Sequence, residues 1–138
     1  MNDARAGRGA APLSILIVDD SAMMRLMIRR ALALAAPHAE ISEAANGQDA
    51  LAVLEARTVD AVFTDINMPL MTGPQLLREI DRRGWRHLRR VVISTDGSEA
   101  RREEVRELDV LAYINKPFAP EDLLEVLARL QPDVHDAH

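Results

Sequence analysis

Three aspartates, two hydroxyl residues and a lysine each stand at the end of a short apolar run in this sequence. Asp19 and Asp20 follow Ile15-Leu16-Ile17-Val18. Asp65 follows Val62-Phe63-Thr64. Ser94 and Thr95 close Val91-Val92-Ile93, and Lys116 comes after Tyr113-Ile114-Asn115. If these runs are strands of one sheet, their polar ends share an edge and the carboxylates converge. Two unit charges about 4 Å apart repel by about 4 kcal/mol at an effective dielectric of roughly 20, and a bound divalent cation relieves that cost. The chain has no cysteine, and no histidine lies near these positions in sequence. An all-oxygen donor set favours Mg²⁺, which keeps several waters and takes one or two carboxylates plus a phosphate oxygen. A carboxylate beside Mg²⁺ and a lysine is equipped to attack phosphorus and carry the phosphoryl group as an aspartyl-phosphate. Such transfer rests on positioning and on neutralising oxygen charge. Mg²⁺ and Lys116 neutralise, and a hydroxyl from Ser94 or Thr95 donates to a phosphate oxygen.

The remaining sequence must hold these residues in place. Ser14 to Val18 is continuously apolar after its serine, as in a strand buried on both faces. Ser21 is placed to cap a helix from Ala22 to Ala35, which Pro37 stops. Its apolar set is Met23, Met24, Met27, Ile28 and Leu32, with the methionines read as core filler. Ala39 to Ala44 predicts a second strand, and Asn46-Gly47 a turn. A helix from Gly47 to Arg57 follows, then a third strand from Val59 to Thr64. Asn67-Met68-Pro69 is a loop, since proline does not continue a central strand. A helix from Gly73 to Arg83, a strand from Arg90 to Ser94 and a charged helix from Ser98 to Leu108 come next, the last with Val105 and Leu108 inward. A strand from Val110 to Asn115 and a helix from Pro120 to Leu130 complete the set. Five strands alternating with five helices predict an α/β fold, a parallel sheet covered on both faces. Right-handed crossovers favour the doubly wound order 2-1-3-4-5. In such sheets ligands bind at the carboxyl ends of the strands, where the order switches.

Composition agrees with one domain. The chain has 138 residues, 48% hydrophobic and 28% charged, so an independent core is expected. Aromatic residues make up 3%, which leaves the core to aliphatic side chains. Residues 1–12 and 132–138 read as tails around a domain at 13–131. The net charge of −5 speaks against direct nucleic-acid binding, which uses a basic footprint. No apolar run is long enough for a membrane helix, the first residues lack the apolar stretch of a signal peptide, and the absence of cysteine suits the cytoplasm.

The strings ILIVDDSAMMR, EAANGQDAL, FTDINMPLMTG, VVISTDGS and AYINKPF resemble those of receiver domains of two-component response regulators. They occur in the same order, from about Leu13 to Leu130. The resemblance implies a flavodoxin-like doubly wound fold with Asp65 as phosphoacceptor. It makes Asp19 and Asp20 the acidic pair for Mg²⁺, Asp20 being favoured as direct ligand, with Asp65 and the backbone carbonyl of Asn67 completing the metal set. Lys116 matches the lysine that contacts the phosphoryl group, before a cis Pro117. Ser94 matches the switch hydroxyl and Tyr113 the aromatic switch residue. Asn67 and Asp96 flank the phosphoryl group and tune its lifetime. Counting back from Lys116 selects Ser94 as the hydroxyl, whereas counting forward from Asp65 selects Thr95. Ser94 is preferred; with Thr95, Gly97 would replace Asp96. Asp109 and Ala112 depart from the family, standing where many receivers have glycine, and aspartate tolerates the left-handed conformation such a turn requires.

The implied activity is a stoichiometric switch rather than turnover. A histidine kinase or phosphotransfer protein donates the phosphoryl group, and a downstream protein binds the altered face around the fourth helix and fifth strand. No second domain is read in the sequence, so output is expected through protein contact, as in chemotaxis-type or relay-type receivers. A phosphatase with an aspartyl nucleophile is a competing reading, but it needs a second aspartate two residues on, where Asn67 stands. The other alternative is a degenerate receiver that binds partners without phosphorylation. Trp85 reads as a loop anchor. The run Arg82, Arg83, Arg86, Arg89, Arg90 reads as a solvated face. The histidines show no metal spacing.

Overall fold

The computed structural model describes residues 12–130. Except for Pro12, the two segments read as tails lie outside the described residues. Five strands, β1 (Ser14–Val18), β2 (Glu40–Ala44), β3 (Ala61–Thr64), β4 (Arg89–Ser94) and β5 (Ala112–Asn115), alternate with five helices, α1 (Ala22–Ala35), α2 (Gly47–Ala56), α3 (Gly73–Arg82), α4 (Glu99–Arg106) and α5 (Pro120–Arg129). The strands form one parallel sheet in the order β2-β1-β3-β4-β5, as expected. Strands β3 and β5 are shorter than the apolar runs that signal them, starting at Ala61 and Ala112.

Side-chain alternation divides the interior in two. Leu16, Val18, Val62 and Val92 face one layer with Leu51, Leu76, Leu77, Ile80 and Val105 of α2, α3 and α4. Ile15, Ile17, Phe63, Val91 and Ile93 face the other with Ile28, Leu32, Leu123 and Val126 of α1 and α5. A sheet buried on both sides has no solvated face for polar groups, so these are displaced to the strand ends. Helices α1 to α4 start where short polar side chains satisfy their first N–H groups. Ser21 Oγ accepts from Met24 N–H at 3.1 Å and Asn46 Oδ1 from Asp49 N–H at 2.8 Å. Thr72 and Gln75 form a reciprocal capping box.

Three details depart from the sequence reading. Met23 and Met27 are 66% and 49% exposed rather than in the core. The buried stripe of α1 is Ile28, Ala31 and Leu32, and Met23 and Met27 lie one step round the helix from it. Arg90 does not belong to a solvated face: it is 3% exposed, with Nη1 2.7 Å from Asp81 Oδ1 and 2.8 Å from the Leu108 carbonyl. Strand alternation turns it inward with Val92, while Arg82, Arg83 and Arg86 are exposed. Leu70 takes a positive φ of 71° in the loop after β3, which nothing in the local sequence signals. Asp109 does so at 57°, as its tolerance of that region allows. Trp85 is half-buried against the α3 layer, with the Arg83 guanidinium 5.3 Å from its ring centre.

Gly73 begins α3 so close to the backbone after β3 that an added Cβ would lie 2.2 Å from the Asp65 carbonyl oxygen. Backbone cannot yield cheaply there, so Gly73→Ala is expected to destabilise the fold by about 1–3 kcal/mol, an overpacking cost, measured by urea unfolding. Arg90→Ala is expected to cost about 1–3 kcal/mol in the same assay. That is below the ~3–5 kcal/mol of a fully buried pair, because Asp81 is 42% exposed and stays hydrated. Arg90→Met should recover most of that loss, since it keeps the buried stem and removes an Nε that has no hydrogen-bond partner.

Candidate functional site

The ladder of the sheet runs one rung past the strands and fixes the chain that carries the polar residues. Asp19 N–H donates to the Ala44 carbonyl at 3.1 Å, Asp65 N–H to Val18 at 2.9 Å, and Lys116 N–H to Ser94 at 2.9 Å. Asp19, Asp20 and Asp65 thereby meet: one carboxylate oxygen from each lies within 4.8 Å of the others. Asp19 is buried, Asp65 half-buried and Asp20 exposed, so the cluster opens to solvent on one side. Lys116 crosses from β5 with Nζ 2.7 Å from Asp19 Oδ2 and 3.3 Å from Asp65 Oδ2. The peptide bond from Lys116 to Pro117 is cis, as the resemblance implied. Asp19 Oδ1 accepts from Ser21 N–H at 2.9 Å, and Asp65 Oδ1 from Ile66 N–H at 2.7 Å. Three formal negative charges against one positive leave a net formal charge of −2 at a half-open site. An oxygen-only donor set of this charge fits a hard divalent cation.

The two candidate hydroxyls separate cleanly. Ser94 is fully buried and its Oγ accepts from Asp96 N–H at 3.1 Å. Thr95 is exposed. Tyr113 is half-buried, and its hydroxyl donates to the Asp96 carbonyl. Burial pushes the Tyr113 phenol above its ordinary pKa, and the Asp96 carboxylate adds to the effect. Ser94 and Tyr113 thus hold the N–H and C=O of the same residue. The Asp96 carboxyl is held below the usual range chiefly by hydrogen bonds from Ser98, with Arg101 contributing. Asn67 is exposed two residues beyond Asp65, and its Oδ1 accepts from Arg101 Nη2 at 3.3 Å.

Some neighbours of the site carry no signal in the sequence. Arg25 donates to the Asp19 carbonyl at 2.6 Å while paired with Glu43 at 2.8 Å, so it bolts α1 and β2 to the acidic turn. Arg102 places its guanidinium 4.4 Å from the Tyr113 ring centre. Arginines are scattered along this chain, and only the fold selects the ones that meet the site. A separate cavity of about 260 Å³, lined by Leu54, Val59, Trp85 and His87 among others, sits at the opposite strand ends and includes none of these residues.

Comparison with known proteins agrees with this geometry. Residues 15–128 match the family model described as the response regulator receiver domain. The chemotaxis protein CheY1 of Helicobacter pylori is 33% identical over 118 residues, covering 83% of this chain and 94% of that protein. The nitrate/nitrite response regulator NarL of Escherichia coli is 29% identical over 116 residues, 84% of this chain but 53% of its own length, so the chain spans about half of that relative. The solved structure of chemotaxis protein CheY4 of Vibrio cholerae superposes with a TM-score of 0.78 at 30% identity, covering 87% of this chain and 99% of that one. With its strand order, its acidic strand ends and these matches together, the chain belongs to the response regulator receiver domain family of two-component signalling.

Proposed function

We propose that this chain is a phosphoacceptor switch: Asp65 takes a phosphoryl group from the phosphohistidine of a kinase or phosphotransfer protein. The observation that carries this reading is the Lys116 ammonium lying within reach of both Asp19 and Asp65 at the mouth of a carboxylate trio. An Asp65 carboxylate oxygen attacks phosphorus, an O–P bond forms, and the donor's N–P bond breaks with its electrons returning to the imidazole. Lys116 balances charge on the phosphoryl oxygens. Asp19, Asp20, Asp65 and the Asn67 carbonyl would hold Mg²⁺, which supplies charge neutralisation at those same oxygens. A hydroxyl has one proton to give and two lone pairs. Ser94 Oγ receives the Asp96 N–H, so its proton is left to donate to a phosphoryl oxygen.

Conversion of Asp65 to a dianionic acyl phosphate changes what Ser94 must satisfy. Because Ser94 and Tyr113 grip the same residue, movement at one end of that link is felt at the other. The equilibrium of α4 and β5 then shifts, and a target protein reads the result. Asn67, two residues after Asp65, and Asp96, on the loop after β4, set how long the acyl phosphate lasts. A complete set of acids, lysine and buried hydroxyl disfavours the reading as a phosphorylation-independent module.

Treatment with phosphoramidate and Mg²⁺ is expected to add one phosphoryl mass to the chain and none to Asp65→Ala, read by intact mass spectrometry; equal labelling of the variant would reject Asp65. Metal binding has its own test in thermal unfolding. Mg²⁺ at a hundred times its Kd should stabilise the wild type by about 2.7 kcal/mol. Asp20→Asn should be more stable than wild type by a few degrees without Mg²⁺, because one like charge is gone, and should lose most of the Mg²⁺ response.

A further inference from the structure

We propose that Arg101 is a positioning residue that straps the mouth of the Asp65 site and prolongs the life of the acyl phosphate. The inference rests on the reading of Asp65 as phosphoacceptor and adds a residue to it. Asp65 and Asn67 lie two residues apart on the loop after β3, and Asp96 lies on the loop after the neighbouring strand β4. Arg101, in the first turns of α4, reaches both: Nη2 is 3.3 Å from Asn67 Oδ1 and Nε is 3.3 Å from Asp96 Oδ2. Its third nitrogen, Nη1, is 2.6 Å from Glu104 Oε1. Glu104 is in turn 3.3 Å from Arg78 Nη2 on α3. The planar fork of one guanidinium therefore ties the two loops to α4, and Glu104 extends the link to α3.

This strap bears on hydrolysis. Water must attack phosphorus in line with the bond to Asp65, from the solvent side, between the two loops. In that step an O–P bond to water forms, the P–O bond to Asp65 breaks, and the water's protons pass to phosphate and solvent. Arg101 narrows this approach. It also engages the Asp96 carboxylate, which the Ser98 N–H holds at 3.1 Å as well, and so keeps that group from orienting the water. The side chains of Arg101 and Asp96 are 34% and 28% exposed, so each contact is individually weak. The effect on rate is accordingly moderate and sensitive to single substitutions.

The test is to load wild type, Arg101→Ala and Arg101→Lys with phosphoramidate and Mg²⁺, remove the donor, and follow the phosphorylated fraction by intact mass. Arg101→Ala should shorten the half-life roughly three- to tenfold. Arg101→Lys should fall between, since an ammonium keeps the charge and loses the fork. In an Asn67→Ala/Asp96→Ala background, Arg101→Ala should make no further difference, whereas a general loosening of α4 would add to it. Unchanged or longer lifetime in Arg101→Ala, or the same acceleration in the double background, would overturn the strap. Failure of the wild type itself to take up label would instead reject the phosphoacceptor reading, and the strap with it.

Discussion

Lys116 extends across the sheet edge to set its ammonium between Asp19 and Asp65. Folding alone opposes this arrangement, because it gathers three acids at one place and answers them with one cation. The sheet makes it possible. Both faces of β1 and β3 are sealed by aliphatic side chains, so the chain turns polar as soon as each strand leaves the core. Parallel pairing then brings those turns to a common edge. The acids are crowded by the packing of Ile, Val and Leu behind them, and the charge they leave uncompensated suits a hard divalent cation.

The same edge links the buried sheet to the outer surface. Asp96 is gripped at its N–H by Ser94 and at its carbonyl by Tyr113, and Arg102 covers the ring of that tyrosine. Ser94 belongs to the buried sheet and Tyr113 to the half-open surface beside α4. A short covalent and hydrogen-bonded path thus joins the strand ends to the outer face. No helix of the described residues is long and apolar enough to cross a membrane, and the surface beside α4 is rich in paired charges.

Much of this was legible in the sequence because the responsible physics is local or periodic. Continuous apolar runs marked the buried strands, Ser21, Asn46-Gly47 and Pro37 marked helix limits, and the acids at the run ends marked the edge. The order of strands followed from handedness and family likeness. What the sequence left open depended on distant contacts. Counting could not choose between Ser94 and Thr95, and it could not tell that one is buried and the other exposed. Met23 and Met27 matched the composition of a core but sit on the wrong side of α1, which depends on where α5 packs. Arg90 looked like one more charge in a basic run, and only the pairing of β4 turns it inward. Gly73 meets the Asp65 backbone where one loop folds back on itself, and Arg101 meets Asn67 from 34 positions away; residue type alone gives no hint of either.

Trp85 is the one tryptophan of the chain, and it lies in the connection that leads into β4, beneath the sheet. The acids lie beyond the opposite ends of strands four to six residues long, a separation of roughly 13–20 Å at about 3.3 Å per residue. The intrinsic fluorophore is therefore an optical witness to the integrity of the far pole, where it leans on the α3 layer. It is poorly placed to sense ions arriving at the acidic pole, so its emission follows global unfolding with little interference from ligation.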